Sequence, residues 1–140
     1  MKCTELLKEQ HRQVESLFAK LAKANDAEAR RALVHELASN LAAHMYIEQE
    51  IFYPAAAAAL EDDGVIREGY EEHGVAQFEL LRLLEVRTNN KSFETKASVL
   101  EELMAHHIKE EEREMFSNVE RALGVEKSRA LVGPMKEAFE

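Results

Sequence analysis

Four amphipathic segments, each carrying one histidine on its apolar stripe, constrain this chain more than any other feature. Leu7, Val14, Phe18 and Leu21 recur at helical spacing in the first, and His11 falls among them. The second starts after Asp26, a good N-cap, and carries Leu33, Leu37, Leu41, Ile47 and Ile51, with His44 between Leu41 and Ile47. The third runs from about Val65 to Thr88 with Ile66, Tyr70, Ala76, Leu80 and Leu84 on one face and His73 between Tyr70 and Ala76. The fourth runs from about Phe93 to Leu123 with Leu100, Leu103, Met104, Met115 and Val119, and His107 follows that stripe.

Local signals set the expected boundaries. Thr4 and Ser92 are the predicted N-caps of the first and fourth helices, and Asn89-Asn90-Lys91 is the turn before the latter. Pro54 should kink the second helix, and Glu61-Asp62-Asp63-Gly64 should break it. Gly69 and Gly74 should weaken the third locally, and Gly124 should stop the fourth. The tail from Val125 to Glu140, interrupted by Gly133-Pro134, is expected to form one or two short helical turns on the bundle.

Only 5 Gly and 2 Pro punctuate the chain, so connections must be short and the helices long. The expected architecture is all-α, an up-down-up-down four-helix bundle with a short C-terminal helical extension. One domain should span residues 1–140, with the bundle over about 4–123 and the extension over about 125–140.

Four histidines facing one core need a shared partner. An unpaired polar ring in an apolar interior costs about 1–3 kcal/mol, so a metal ion is the natural solution for His11, His44, His73 and His107. His35 falls on the opposite side of the second helix from His44 and is assigned to solvent. Carboxylates complete the set. Glu48 follows His44 by one helical turn and Glu111 follows His107 likewise, so each pair shares a face. His106 with Glu110 satisfies the same spacing; His107 with Glu111 is preferred because the residues one and two turns earlier make the cleaner apolar stripe.

The halves repeat. Glu9-Gln10-His11 resembles Glu71-Glu72-His73, and the stretch from His44 through Glu48 to Phe52 parallels that from His107 through Glu111 to Met115. Two related helix pairs would each deliver two histidines and one carboxylate, the ligand supply for two metal ions with two shared carboxylates.

These residues resemble the haemerythrin-like, or HHE cation-binding, family over about Thr4 to Leu123. The most specific element is His44-x3-Glu48-x5-Pro54, with Gln49 in place of that segment's second glutamate. The resemblance implies a non-haem di-iron centre with bridging Glu48 and Glu111 and histidine ligands His11, His44, His73 and His107. Oxygen-carrying members have a further histidine one turn after the first on the third helix, where this chain has Gln77, and an aspartate on the fourth, where it has Glu111. The pattern is more similar to bacterial haemerythrin-like proteins linked to nitric-oxide or peroxide stress and iron repair, and to the iron-sensing domain of a eukaryotic ubiquitin ligase.

The implied cofactor is a pair of iron ions with an oxo or hydroxo bridge, each with an open position. Imidazole and carboxylate suit ferrous and ferric iron. Expected partners are therefore small diatomics or peroxide: oxygen, nitric oxide, hydrogen peroxide. No side chain stands out as a general acid, so whether the chain is an enzyme, a carrier or a sensor stays open, and any reaction would be the cofactor's. For Tyr46, Tyr53 and Tyr70, ordinary packing is the expected role.

Other classes fit less well. Ferritin-like carboxylate oxidases need Glu-x-x-His pairs, and none of the six histidines has a glutamate three residues before it. A zinc hydrolase is disfavoured by the lack of His-Glu-x-x-His, and a metal-free helical interaction module is the remaining alternative. The net charge of −9 disfavours nucleic acid or anionic lipid as a partner. Single Cys3 precludes an internal disulfide, and no stretch is apolar enough to span a bilayer or act as a signal peptide, so a cytoplasmic location is expected.

Overall fold

Residues 1–139 are described by a computed structural model. Helix α1 spans Cys3–Lys23 and α2 spans Ala27–Ile47. A π-helical turn over Glu48–Phe52 joins α2 without a break to α3, Tyr53–Ala59. Helix α4 covers Gly64–Glu85 and α5 covers Lys91–Glu110. A second π turn, Glu111–Met115, leads into α6, Phe116–Leu123, and α7 closes the chain at Val125–Phe139. Among the described residues there is no strand. The fold is all-α, as the apolar periodicity requires.

Several local details differ from the sequence reading. Thr4 lies inside α1 and is buried, and its hydroxyl donates to Glu120 Oε2 (2.9 Å) instead of capping. The cap of α5 is Asn90, whose side chain accepts from the Ser92 amide (2.9 Å). Asp26 does cap α2, accepting from the amides of Glu28 (2.9 Å) and Ala29 (3.2 Å). Tyr70 and Leu84 are exposed rather than core, since α4 turns Leu80 and Leu83 inward. The tail is one continuous helix through Pro134, not one or two turns; Met135 and Ser128 are buried, and α7 packs on α1 and α2. That burial offsets the one backbone bond Pro134 cannot donate. Gly124, at φ +82°, makes the turn between α6 and α7 that a side chain would strain.

Pro54 does not break its helix. It falls in the first turn of α3, just after the π turn, where a missing N–H matters least. The proline is not the cause of such turns in general, because the second π turn contains none. Both start at a glutamate, Glu48 and Glu111, and π turns of this kind gather at functional sites.

Two apolar clusters fill the interior. One gathers around Phe18, Leu37, Leu41, Leu83, Phe93 and Leu100. The other gathers around Leu7, Ile47, Phe52, Tyr53, Val119 and Met135. Between them lies a layer of buried polar side chains: His11, His44, Glu48, His73, His107 and Glu111.

Candidate metal centre

Each of these six residues is 2% exposed or less, a degree of burial that glutamate tolerates only with compensating partners. They fall into two groups whose donor atoms lie within 4.8 Å of one another: His11, His44, Glu48 and Glu111, and Glu48, His73 and His107. Glu48 belongs to both. Its Oε1 is 3.3 Å from His44 Nε2 and 2.9 Å from His73 Nε2. Glu111 also reaches across, with Oε1 3.1 Å from His11 Nε2 and 3.3 Å from His107 Nε2. All four histidines thus turn Nε2 inward, onto two carboxylates that stand between the groups.

The outer nitrogens explain that orientation. His11 Nδ1 is 2.6 Å from Glu112 Oε2, and His107 Nδ1 is 2.7 Å from Glu72 Oε1. His44 Nδ1 is 2.8 Å from Gln10 Oε1, and His73 Nδ1 is 2.9 Å from Gln49 Oε1. A carboxylate or amide oxygen can only accept, so Nδ1 carries a proton, and a ring in its neutral form has its Nε2 lone pair pointing inward. Histidine ligands of metals are held in this way. The four partners follow one rule: Gln10 and Glu72 each precede a histidine, and Gln49 and Glu112 each follow an inward glutamate.

Protonation follows the partners. Burial works against a charged ring at His11, yet hydrogen bonds with Glu111 and Glu112 and nearby negative charge raise its pKa to about 9. At His107 burial is again outweighed, by the charge of Glu111 and hydrogen bonds with Glu111, Glu48 and Glu72, and the pKa is pushed up to about 12. Burial would raise Glu48, but the His44 charge and hydrogen bonds with His107, His44 and His73 hold it well below the carboxylate range. Glu112 and Glu72 are lowered by their hydrogen bonds with His11 and His107 respectively.

A seventh group enters the layer. The Tyr53 hydroxyl donates to Glu111 Oε2 (2.8 Å) and lies 3.3 Å from His73 Nε2 and 3.5 Å from His107 Nε2. Its ring stacks on His73 at 5.3 Å between centroids. In an α-helix Tyr53 would lie about 140° round from Glu48. The π turn takes up most of that angle, with the Tyr53 amide bonded to the Glu48 carbonyl. Space for the phenol comes from α4: a Cβ on Gly69 would stand 2.6 Å from Tyr53 Oη. Burial, then the charges of Glu48 and Glu111, raise the Tyr53 pKa far above the usual phenol range, so the hydroxyl keeps its proton.

Known proteins share this arrangement of sequence and fold. The model of the hemerythrin HHE cation binding domain matches residues 3–119. The chain belongs to the hemerythrin HHE family. A crystal structure of a hemerythrin HHE cation binding domain-containing protein from Mycobacterium kansasii superposes with a TM-score of 0.82 at 27% identity, covering 99% of this chain and 88% of that one. A protein described as a DNA nickase from Nostoc sp. (strain PCC 7120 / SAG 25.82 / UTEX 2576) is 25% identical over 142 residues. That alignment takes in 99% of this chain but only 39% of the relative, so the HHE chain corresponds to a minor part of that protein.

All six residues expected at the centre of this HHE domain meet in one layer, while His35, Gln77 and the alternative ligand His106 lie outside it. His35 is exposed, as is Gln77. His106 is 66% exposed and pairs with Glu110 (2.9 Å) on the outer side of α5. Tyr46 and Tyr70 are exposed, but Tyr53 departs from its expected packing role. Sequence spacing missed Tyr53 and the four Nδ1 partners. The repeat could have found the partners, because they occupy equivalent positions in the two halves.

Two buried atoms test whether a cation fits. His44 Nε2 and Glu48 Oε2 have no hydrogen-bond partner among the described residues, His44 Nε2 standing near Glu48 Oε1 without bonding geometry. Buried polar atoms are rarely left so. Both face the layer that holds the other donors, and imidazole with carboxylate is a donor set that suits a transition-metal ion. The residues fit a metal.

Proposed function

We propose that this HHE domain holds two iron ions, with His11 and His44 on one, His73 and His107 on the other, and Glu48 and Glu111 shared, and that the centre binds or reacts with oxygen, nitric oxide or hydrogen peroxide. The observation that carries this reading is the convergence of four Nε2 atoms on two shared carboxylates, with His44 Nε2 and Glu48 Oε2 unpartnered. Iron at these positions would supply ligand binding and one-electron chemistry that no side chain here offers.

The chain's own residues do the rest. Glu112, Gln10, Gln49 and Glu72 fix the imidazole rings, so the donors are set before a metal arrives. Tyr53 holds a proton at Oη, donated to Glu111 Oε2, which orients that carboxylate and places a hydrogen-bond donor beside His73 and His107. The apolar clusters above and below the layer exclude water and favour small uncharged guests. No helix of the described residues is long and apolar enough to cross a membrane. We place the domain in the cytoplasm without nucleic-acid or membrane partners, a reading supported by the unpaired Cys3 and the net charge of −9.

Anaerobic loading with ferrous iron, a metal count, and absorption spectra after oxygen and then peroxide test the proposal. Two irons per chain and new near-ultraviolet bands on oxidation are expected. One iron per chain, or none, overturns the paired centre; two irons with spectra that neither oxidant alters overturn the reactivity.

A further inference from the structure

The stretch His106-His107-x-x-Glu110-Glu111 contains two His-x-x-x-Glu pairs offset by one residue. One residue is about 100° of α-helix, so the pairs cannot both face inward. His107 and Glu111 belong to the buried layer. His106 and Glu110 have no role there.

On the outer side they meet a third donor. His106 Nε2 is 2.9 Å from Glu110 Oε1 and 3.6 Å from Glu72 Oε2 of α4, and the donor atoms of all three lie within 4.8 Å of one another. Ligands about 2.1 Å from one metal ion stand about 3.0–3.4 Å apart, so the two spacings from His106 need little adjustment. The two carboxylates are mostly covered, at 26% and 27% exposed, while His106 is 66% exposed. Three protein donors therefore lie on one side and solvent on the other, where water can complete a shell. Among the described residues, neither Glu72 nor Glu110 has a lysine or arginine in an ion pair.

We propose that Glu72, His106 and Glu110 form a surface site for a divalent cation of the zinc or ferrous class, separate from the buried centre. It shares one residue with that centre. Glu72 offers Oε2 to His106 while Oε1 accepts from His107 Nδ1 (2.7 Å), so a surface cation sits one carboxylate away from a histidine of the inner layer.

The test is a calorimetric titration of the iron-loaded, oxidised protein with Zn²⁺, with iron and zinc counted before and after. The wild type is expected to take one zinc per chain without losing iron. His106→Ala, a change at an exposed position, should weaken that binding at least 10-fold with the iron count unchanged, and Glu110→Gln should do the same. His35→Ala, on a different helix, should have no effect. Absence of a zinc that depends on His106, or zinc uptake matched by iron loss, overturns the proposal. Because iron is counted separately, a chain that fails to hold two irons is distinguished from one that lacks the surface site.

Discussion

The half of the centre built on α1 and α2 and the half built on α4 and α5 come from a repeated sequence, yet they are not copies. Phe116 stands five residues after Glu111 as Tyr53 stands five after Glu48, and each ring stacks on a histidine. Phe116 lies 5.8 Å from His11, nearly parallel, and offers only an apolar face. Tyr53 brings a hydroxyl into contact with Glu111, His73 and His107. The unpartnered His44 Nε2 lies in the half without the hydroxyl. Repetition therefore fixes where donors stand, while a single oxygen sets the two halves of the buried layer apart. A guest molecule would meet a bare apolar wall on one side and a hydroxyl on the other.

The strongest way to break the comparison is to remove what the halves share. Glu48→Ala should release both irons, lowering affinity by more than about 100-fold, and should abolish the rise in melting temperature that iron confers. Elemental analysis and thermal melts with and without iron read this out. His44→Ala should be milder, costing chiefly the metal of its own half.

Protonation offers a test in which the halves should agree. Each contains one histidine whose outer nitrogen meets a carboxylate, His11 or His107, and these are the two with raised pKa values. In the metal-free chain the stabilisation they contribute is fully present below pH of about 6.5, the unfolded value. As pH rises, the His11 share is lost through about 9, and the His107 share persists to about 12. Metal binding must displace these protons, so loading near pH 7.5 should release protons and tighten as pH rises. Calorimetry in buffers of different ionisation enthalpy measures the release; the same heat in every buffer would contradict it.

A smaller effect distinguishes two glycines of α4. Gly69→Ala should destabilise by about 1–3 kcal/mol, because its Cβ would overlap the Tyr53 ring and hydroxyl. Gly74→Ala meets nothing within 4 Å and should stabilise the same helix by about 0.5–1 kcal/mol. Denaturant unfolding of the metal-free protein reads both.

A small expected loss of stability is the most informative about asymmetry. Tyr53→Phe makes the two halves alike at the cost of one hydrogen bond, about 1 kcal/mol. It should retain both irons and alter the absorption spectrum after oxidation. An unchanged spectrum would mean that the phenol has no influence on the centre.

Much of this was legible in the sequence. The helical stripes located His11, His44, His73 and His107, and the spacing of Glu48 and Glu111 told which carboxylates turn inward. Helical phase alone assigned His35 to solvent, whereas spacing left His106 with Glu110 as an alternative and only the cleaner apolar stripe favoured His107 with Glu111. Tyr53 was hidden because α-helical phase places it on another face from Glu48, and only the π turn corrects that. Gln10, Gln49, Glu72 and Glu112 look like ordinary solvated residues, since nothing local marks an acceptor for a ring on another helix. Pro134 suggested an interrupted tail, but the burial of Met135 and Ser128 against the bundle depends on tertiary packing.

The paired π turns also work as phase shifters. Each stores one residue more than an α-helical turn, so the helix emerging from it is rotated by about 100° relative to an uninterrupted one. The long helices can thus present one seam to the first apolar cluster and a different seam to the second. The Glu48 and Glu111 positions are where the two seams are spliced. Loss of a single residue within Glu48–Phe52 would restore regular α-helix and swing Phe52, Tyr53 and Ala56 out of the interior together.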